Sequence, residues 1–168
     1  MAPDVFLSSV IEPGLAFISG LIPPPPTDDA RRFLLAIALQ ESGPALEARY
    51  QNSPAATPGP ARGWWQFEQG GGVAGVLQHP ATRHAAAAAC SQIVVVPQPA
   101  AVWRAIEGND LLACCFARLL IWTDPAILPT TESDGWGQYM RLWRPGKPHP
   151  ATWGPNWLIA SKTVTPIA

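Results

Sequence analysis

Charge is scarce in this chain. Only 14% of its 168 residues are charged, against roughly a quarter in an average soluble domain, so part of its surface is expected to be covered by a partner or ligand. Eleven Lys and Arg against twelve Asp and Glu leave a net charge of −1. With no basic patch, electrostatic capture by nucleic acid or an anionic membrane is not expected. Cysteine is also sparse: Cys90, Cys114 and Cys115 form an odd set with no C-x-x-C and no zinc spacing. Cys114 and Cys115 lie in an apolar run and read as small buried hydrophobes. His79, His84 and His149 lack ligand spacing, so neither a metal nor a cofactor is expected. No window approaches 18 uninterrupted apolar residues, which excludes a helical membrane span from the expectations. The start has no basic segment, and Glu12–Pro13–Gly14 interrupts its apolar stretch, so no secretory signal peptide is expected. The expectation is synthesis in the cytoplasm without export by the usual route.

Apolar residues are abundant, at 48%, with eight tryptophans and twenty prolines. The length suits one domain able to close a hydrophobic core. Residues 1–26 are apolar and end in Pro23–Pro24–Pro25–Pro26, a stiff polyproline connector. They are expected to be helical in pieces, broken at Pro13–Gly14, and to form a peripheral arm for docking a partner. Residues 27–168 then form the domain. Thr27 before Asp28 and Asp29 reads as an N-cap. The helix it opens carries an apolar stripe at Phe33, Leu34, Ile37 and Ala38, reaches Glu41, and is ended by Gly43–Pro44. Asn52–Ser53–Pro54, Pro58–Gly59–Pro60 and Gly70–Gly71–Gly72 punctuate the next stretch. Between them Trp64–Trp65–Gln66–Phe67–Glu68 is the best candidate for the only strand. Helices are expected again over 80–90, 101–107, 109–122 with Asn109 as cap, and 133–143, with a short one near 157–161. The fold class is therefore mainly α, with at most one short β element.

Glu41 closes an apolar helix just where the chain must turn away, facing an aromatic-rich segment. Burial there would raise its carboxyl, and a protonated carboxylic acid is what glycoside cleavage needs to protonate the leaving oxygen. A solvated terminal charge would look the same in isolation. Strand alternation would put Gln66 and Glu68 on one face and Trp65 and Phe67 on the other, adding an amide and a second carboxylate. Amides suit hydroxyl and N-acetyl groups, since they donate and accept. Glu68 reads either as a base for water or as a salt-bridged structural acid. Most tryptophans are core, but one or two beside a groove would suit sugar faces. The glycine run has no P-loop lysine after it and reads as a mobile cleft loop; Arg144, Lys147 and His149 read as a solvated segment.

Gln40–Glu41–Ser42 at a helix end, followed by Ala61–Arg62–Gly63–Trp64–Trp65–Gln66, resembles the lytic transglycosylase and goose-type lysozyme superfamily, which pairs a helix-borne E-S with A-x-G-Φ-Φ-Q (Φ apolar). The pieces G-P-A-R-G-W-W-Q-F-E (59–68), G-G-G-V (70–73), W-T-D-P (122–125) and W-R-P-G-K-P-H (143–149) look like lysozyme-like proteins of tailed-phage structural-gene regions. The resemblance implies a lysozyme-like helical domain that cleaves bacterial peptidoglycan, made in the host cytoplasm and virion-associated. Glu41 matches the catalytic acid, and Glu68 falls near an acidic position of goose-type members. Gln66, with Trp65 or Trp122, is expected to contact substrate. The superfamily's third motif, A-Y-N-x-G, has no counterpart; the only tyrosines are Tyr50 and Tyr139. A rival expectation is a non-catalytic phage tail or virion protein that keeps the fold for assembly with phage structural proteins. An open groove around a half-buried Glu41 favours the enzyme, whereas a groove filled by Trp64, Trp65 or the glycine loop favours the scaffold.

Overall fold

The computed structural model describes residues 1–23, 25–47 and 59–164. Pro24, Tyr50 and the turn signals over 52–58 lie outside them. The described residues are mainly helical, with one two-stranded antiparallel sheet. Helices α1 (Pro3–Phe6) and α2 (Glu12–Ile18) are joined by a π-turn over Leu7–Ile11. Helix α3 (Asp28–Ser42) follows, then β1 (Ala61–Arg62) and β2 (Phe67–Glu68). A second π-turn, Gln69–Val73, leads into α4 (Ala74–Gln78). The rest is α5 (Arg83–Gln92), α6 (Pro99–Gly108), α7 (Asp110–Trp122), α8 (Glu132–Trp143) and α9 (Pro150–Thr163).

Local signals explain the central helices. Thr27 Oγ1 accepts from the Ala30 amide and Asn109 Oδ1 from the Leu112 amide, each satisfying a donor that the helix start leaves open. Helix α7 is buried over most of its length, and the Leu112–Ile121 run fills the centre of the core. Beside it, α3 buries Phe33 to Leu39 without interruption, as suits a helix covered on all sides.

The N-terminal segment corrects the expectation of a peripheral arm with a break at Pro13–Gly14. Phe6, Val10, Ile11, Leu15 and Ile18 are buried in the same core as α3 and α7. The π-turn just before Pro13 accommodates a residue that has no N–H to give its ladder. Gly14 does not break the helix; it brings α2 onto α7. A Cβ there would fall 2.6 Å from Cys114 Sγ, and closer still to Cys114 Cβ. The residues before the polyproline run thus belong to the domain core. Cys90, Cys114 and Cys115 are free and buried, and burial pushes their thiols up.

Helix α9 is longer than the short segment expected at 157–161. Pro150 occupies its first turn, where a missing N–H is harmless. Pro155 lies inside it, but Pro155 and Ala151, whose carbonyl loses its partner, are both exposed and reach water. Trp153 and Trp157 anchor the helix edge-on against Phe33 of α3, with ring centroids 6.4 Å away in both cases. None of the described helices is long and apolar enough to cross a membrane.

Candidate active site

Glu41 stands in the last turn of α3, in a cleft of about 640 Å³. The same cleft is lined by Gln66, Phe67 and Glu68 on one side and by Tyr139, Trp143 and the segment from Arg144 to His149 on the other. Its shape depends on how the 63–66 turn is pinned. Ser42 Oγ donates to the Trp64 carbonyl at 2.6 Å, and the Trp65 indole donates to the Leu34 carbonyl at 2.9 Å. From the far side the Trp143 indole donates to the Trp65 carbonyl at 2.8 Å. Phe6 packs on both Trp64 and Trp65, at centroid distances of 5.4 and 5.6 Å.

This turn corrects the expected strand. Only Phe67–Glu68 is paired, with Ala61 opposite Glu68 and Arg62 opposite Phe67. Gly63 at φ +72° and Gln66 at φ +51° both occupy the left-handed region. A side chain at Gly63 would also press on Ile106, whose Cγ2 is 2.7 Å from the position of a Cβ. Gln66 Nε2 and its backbone amide both donate to the Gly63 carbonyl, closing the turn. Gln66 and Glu68 therefore reach the cleft together by a left-handed turn and a short strand rather than by simple alternation. The glycine run forms the second π-turn beside them. Gly72 is pressed against Phe67, which leaves no room for a Cβ.

Glu41 is the perturbed group. Its carboxyl is pushed up from 4.5 to about 7, chiefly because it is mostly buried and secondarily because Glu68 contributes a like charge. Tyr139 partly opposes this by donating its hydroxyl to Glu41 Oε1 at 2.5 Å. Burial and the neighbouring carboxylate push the phenol itself up. Tyr139 is held by rings on both sides, Trp153 stacked at 5.2 Å and Trp143 at 6.3 Å. Glu68 is exposed at the cleft. A carboxyl that is half protonated near pH 7, with an exposed carboxylate in the same cleft, can act as a general acid beside a general base.

Two expected substrate contacts are placed elsewhere. Trp65 is fully buried and serves the core. Trp122 lies outside the cleft lining, with the Arg118 guanidinium over its ring at 5.3 Å. Trp143 instead brings aromatic surface to the cleft, and the buried Tyr139 contributes its hydroxyl to Glu41. Both sit on α8, distant in sequence from Glu41; the only local signal was that a buried tyrosine hydroxyl needs a partner. Gln40 is tied to α9, donating to the His149 carbonyl and accepting from Thr152 and Asn156. Among the described residues no group of three His, Cys, Asp or Glu could hold a metal ion.

No family model, curated protein or solved structure matches the chain.

Proposed function

We propose that this protein cleaves the glycan strands of bacterial peptidoglycan, between N-acetylmuramic acid and N-acetylglucosamine, with Glu41 as general acid. The observation that carries the reading is a mostly buried Glu41, raised to about 7, inside an open cleft. Oε1 is occupied by the Tyr139 hydroxyl, so the proton to be donated sits on Oε2. It passes to the glycosidic oxygen as the anomeric C–O bond breaks and an oxocarbenium-like centre develops. Glu68 takes a proton from water, whose oxygen adds to the anomeric carbon. Gln66 offers an amide to hydroxyl or N-acetyl groups, and Trp143 takes the sugar-facing role expected of Trp65 or Trp122.

The E-S and A-x-G-Φ-Φ-Q resemblance supports this chemistry, and the phage-type motifs support a phage-encoded, virion-associated setting. The rival assembly role calls for a filled groove. Trp64 and Trp65 turn into the core instead, and from the glycine loop only Gly71 and Gly72, which have no side chain to fill the groove, line the cleft, which supports the enzyme. Incubation with purified peptidoglycan is expected to clear turbidity and release muropeptides with reducing ends, and Glu68→Gln is expected to slow that release. Anhydromuramic ends, with rates indifferent to Glu68, would overturn the hydrolytic route; no soluble glycan at all would overturn the enzyme.

A further inference from the structure

The cleft that holds Glu41 and Glu68 also has a cationic lip. After α8 the chain runs through Arg144, Lys147 and His149, all of which line the cleft and all of which are exposed. Ion pairs among the described residues engage Arg31, Arg32, Arg62 and Arg141. Arg144 and Lys147 are in none of them. Arg144 Nε donates to the Arg141 carbonyl at 3.2 Å, and the remaining guanidinium N–H groups have no partner among the described residues. In a chain of net charge −1, this cleft brings Arg144 and Lys147 together with Glu41 and Glu68, the two acids that line it.

The lip is also held in place. Arg144 turns the chain at φ +49° and ψ +52°, and Pro145 and Pro148 restrict the backbone beyond it. The His149 carbonyl then accepts from Gln40 Nε2 at 3.0 Å. Gln40 is the immediate neighbour of Glu41, so the end of this segment is tied to the helix that carries the acid.

We propose that the lip from Arg144 to His149 reads a carboxylate carried by the glycan, which makes strands with free carboxylates the preferred substrate. The proposal rests on the glycan-cleaving reading above. Two sources share this chemistry: the lactyl ether of an unsubstituted muramic acid and the carboxylates of an attached stem peptide. A guanidinium offers a carboxylate two parallel N–H donors, and an ammonium adds a point charge.

The test is calorimetric binding to Glu41→Gln protein, which retains the cleft without turnover. The ligands are a neutral N-acetylglucosamine tetramer, an alternating tetramer with free lactyl carboxylates, and the same tetramer bearing stem peptides. A carboxylated tetramer is expected to bind about 10-fold or more tightly than the neutral one. Adding Arg144→Gln and Lys147→Gln is expected to shrink that preference to about 2-fold or less, with thermal unfolding confirming that the protein is folded. The better of the two carboxylated ligands identifies which carboxylate is read. Equal binding of neutral and charged tetramers, or a preference that survives both substitutions, overturns the lip assignment and leaves the glycan reading standing. Binding of no tetramer overturns both.

Discussion

At the scale of single residues, a buried carboxyl makes stability depend on pH in a direction opposite to that of a salt-bridged one. Glu41 has a folded-state value near 7 and an ordinary value of 4.5. Between these limits the folded state holds a proton that the unfolded chain has lost, so stability falls as pH rises. The neutral-acid advantage is complete below 4.5 and gone above about 7. Glu41→Gln keeps an acceptor for the Tyr139 hydroxyl but cannot ionise. It is therefore expected to match the wild type in denaturant melts near pH 4 and to exceed it above pH 7, by on the order of 3 kcal/mol. An equal difference at both pH values would place Glu41 in solvent. Glu41 and the caps Thr27 and Asn109 were legible in the sequence because their signals are local: a polar residue before an apolar period, or an acid at its end. Tyr139 was not, since its partner lies 98 positions away.

At the scale of elements, glycine in a helix has two opposite meanings, and sequence alone does not separate them. Gly14 in α2 lies against Cys114, whereas a Cβ added to Gly75 in α4 would meet nothing within 4 Å. Gly14→Ala is expected to destabilise by about 1–3 kcal/mol through overpacking. Gly75→Ala is expected to stabilise by up to about 1 kcal/mol through helix propensity. Chemical denaturation of the two variants decides the point, and shifts of the same sign would refute the α2–α7 packing. The expected break at Pro13–Gly14 failed for this reason, because Gly14 answers to a contact with Cys114, far along the chain. The expected strand failed because Gln66 takes a left-handed conformation, which an aromatic, β-prone composition does not announce. Helix α9 was underestimated because its prolines sit in the first turn and on an exposed face.

At the scale of the whole molecule, the first and last helical segments close the same core. Phe6 supports the tryptophan turn, and α9 packs on α3, so the cleft depends on both ends of the described chain. Deleting residues 1–22 removes Phe6, Val10, Ile11, Leu15, Ile18 and Ile22 from the interior. Burial of such side chains is worth about 1.5–3 kcal/mol each. The truncated chain is expected to lose cooperative thermal unfolding, and an unchanged melting temperature would return the segment to the status of an arm. The mainly α class was legible from periodicity and caps, while membership of the N-terminal segment in the core needed tertiary contacts to appear. The central claim concerns the proton on Glu41, and the rate of soluble glycan release from purified peptidoglycan near pH 6 tests it most directly. The account predicts release by the wild type and a loss of about 10²–10⁴-fold in folded Glu41→Gln; release by that variant at the wild-type rate would contradict it.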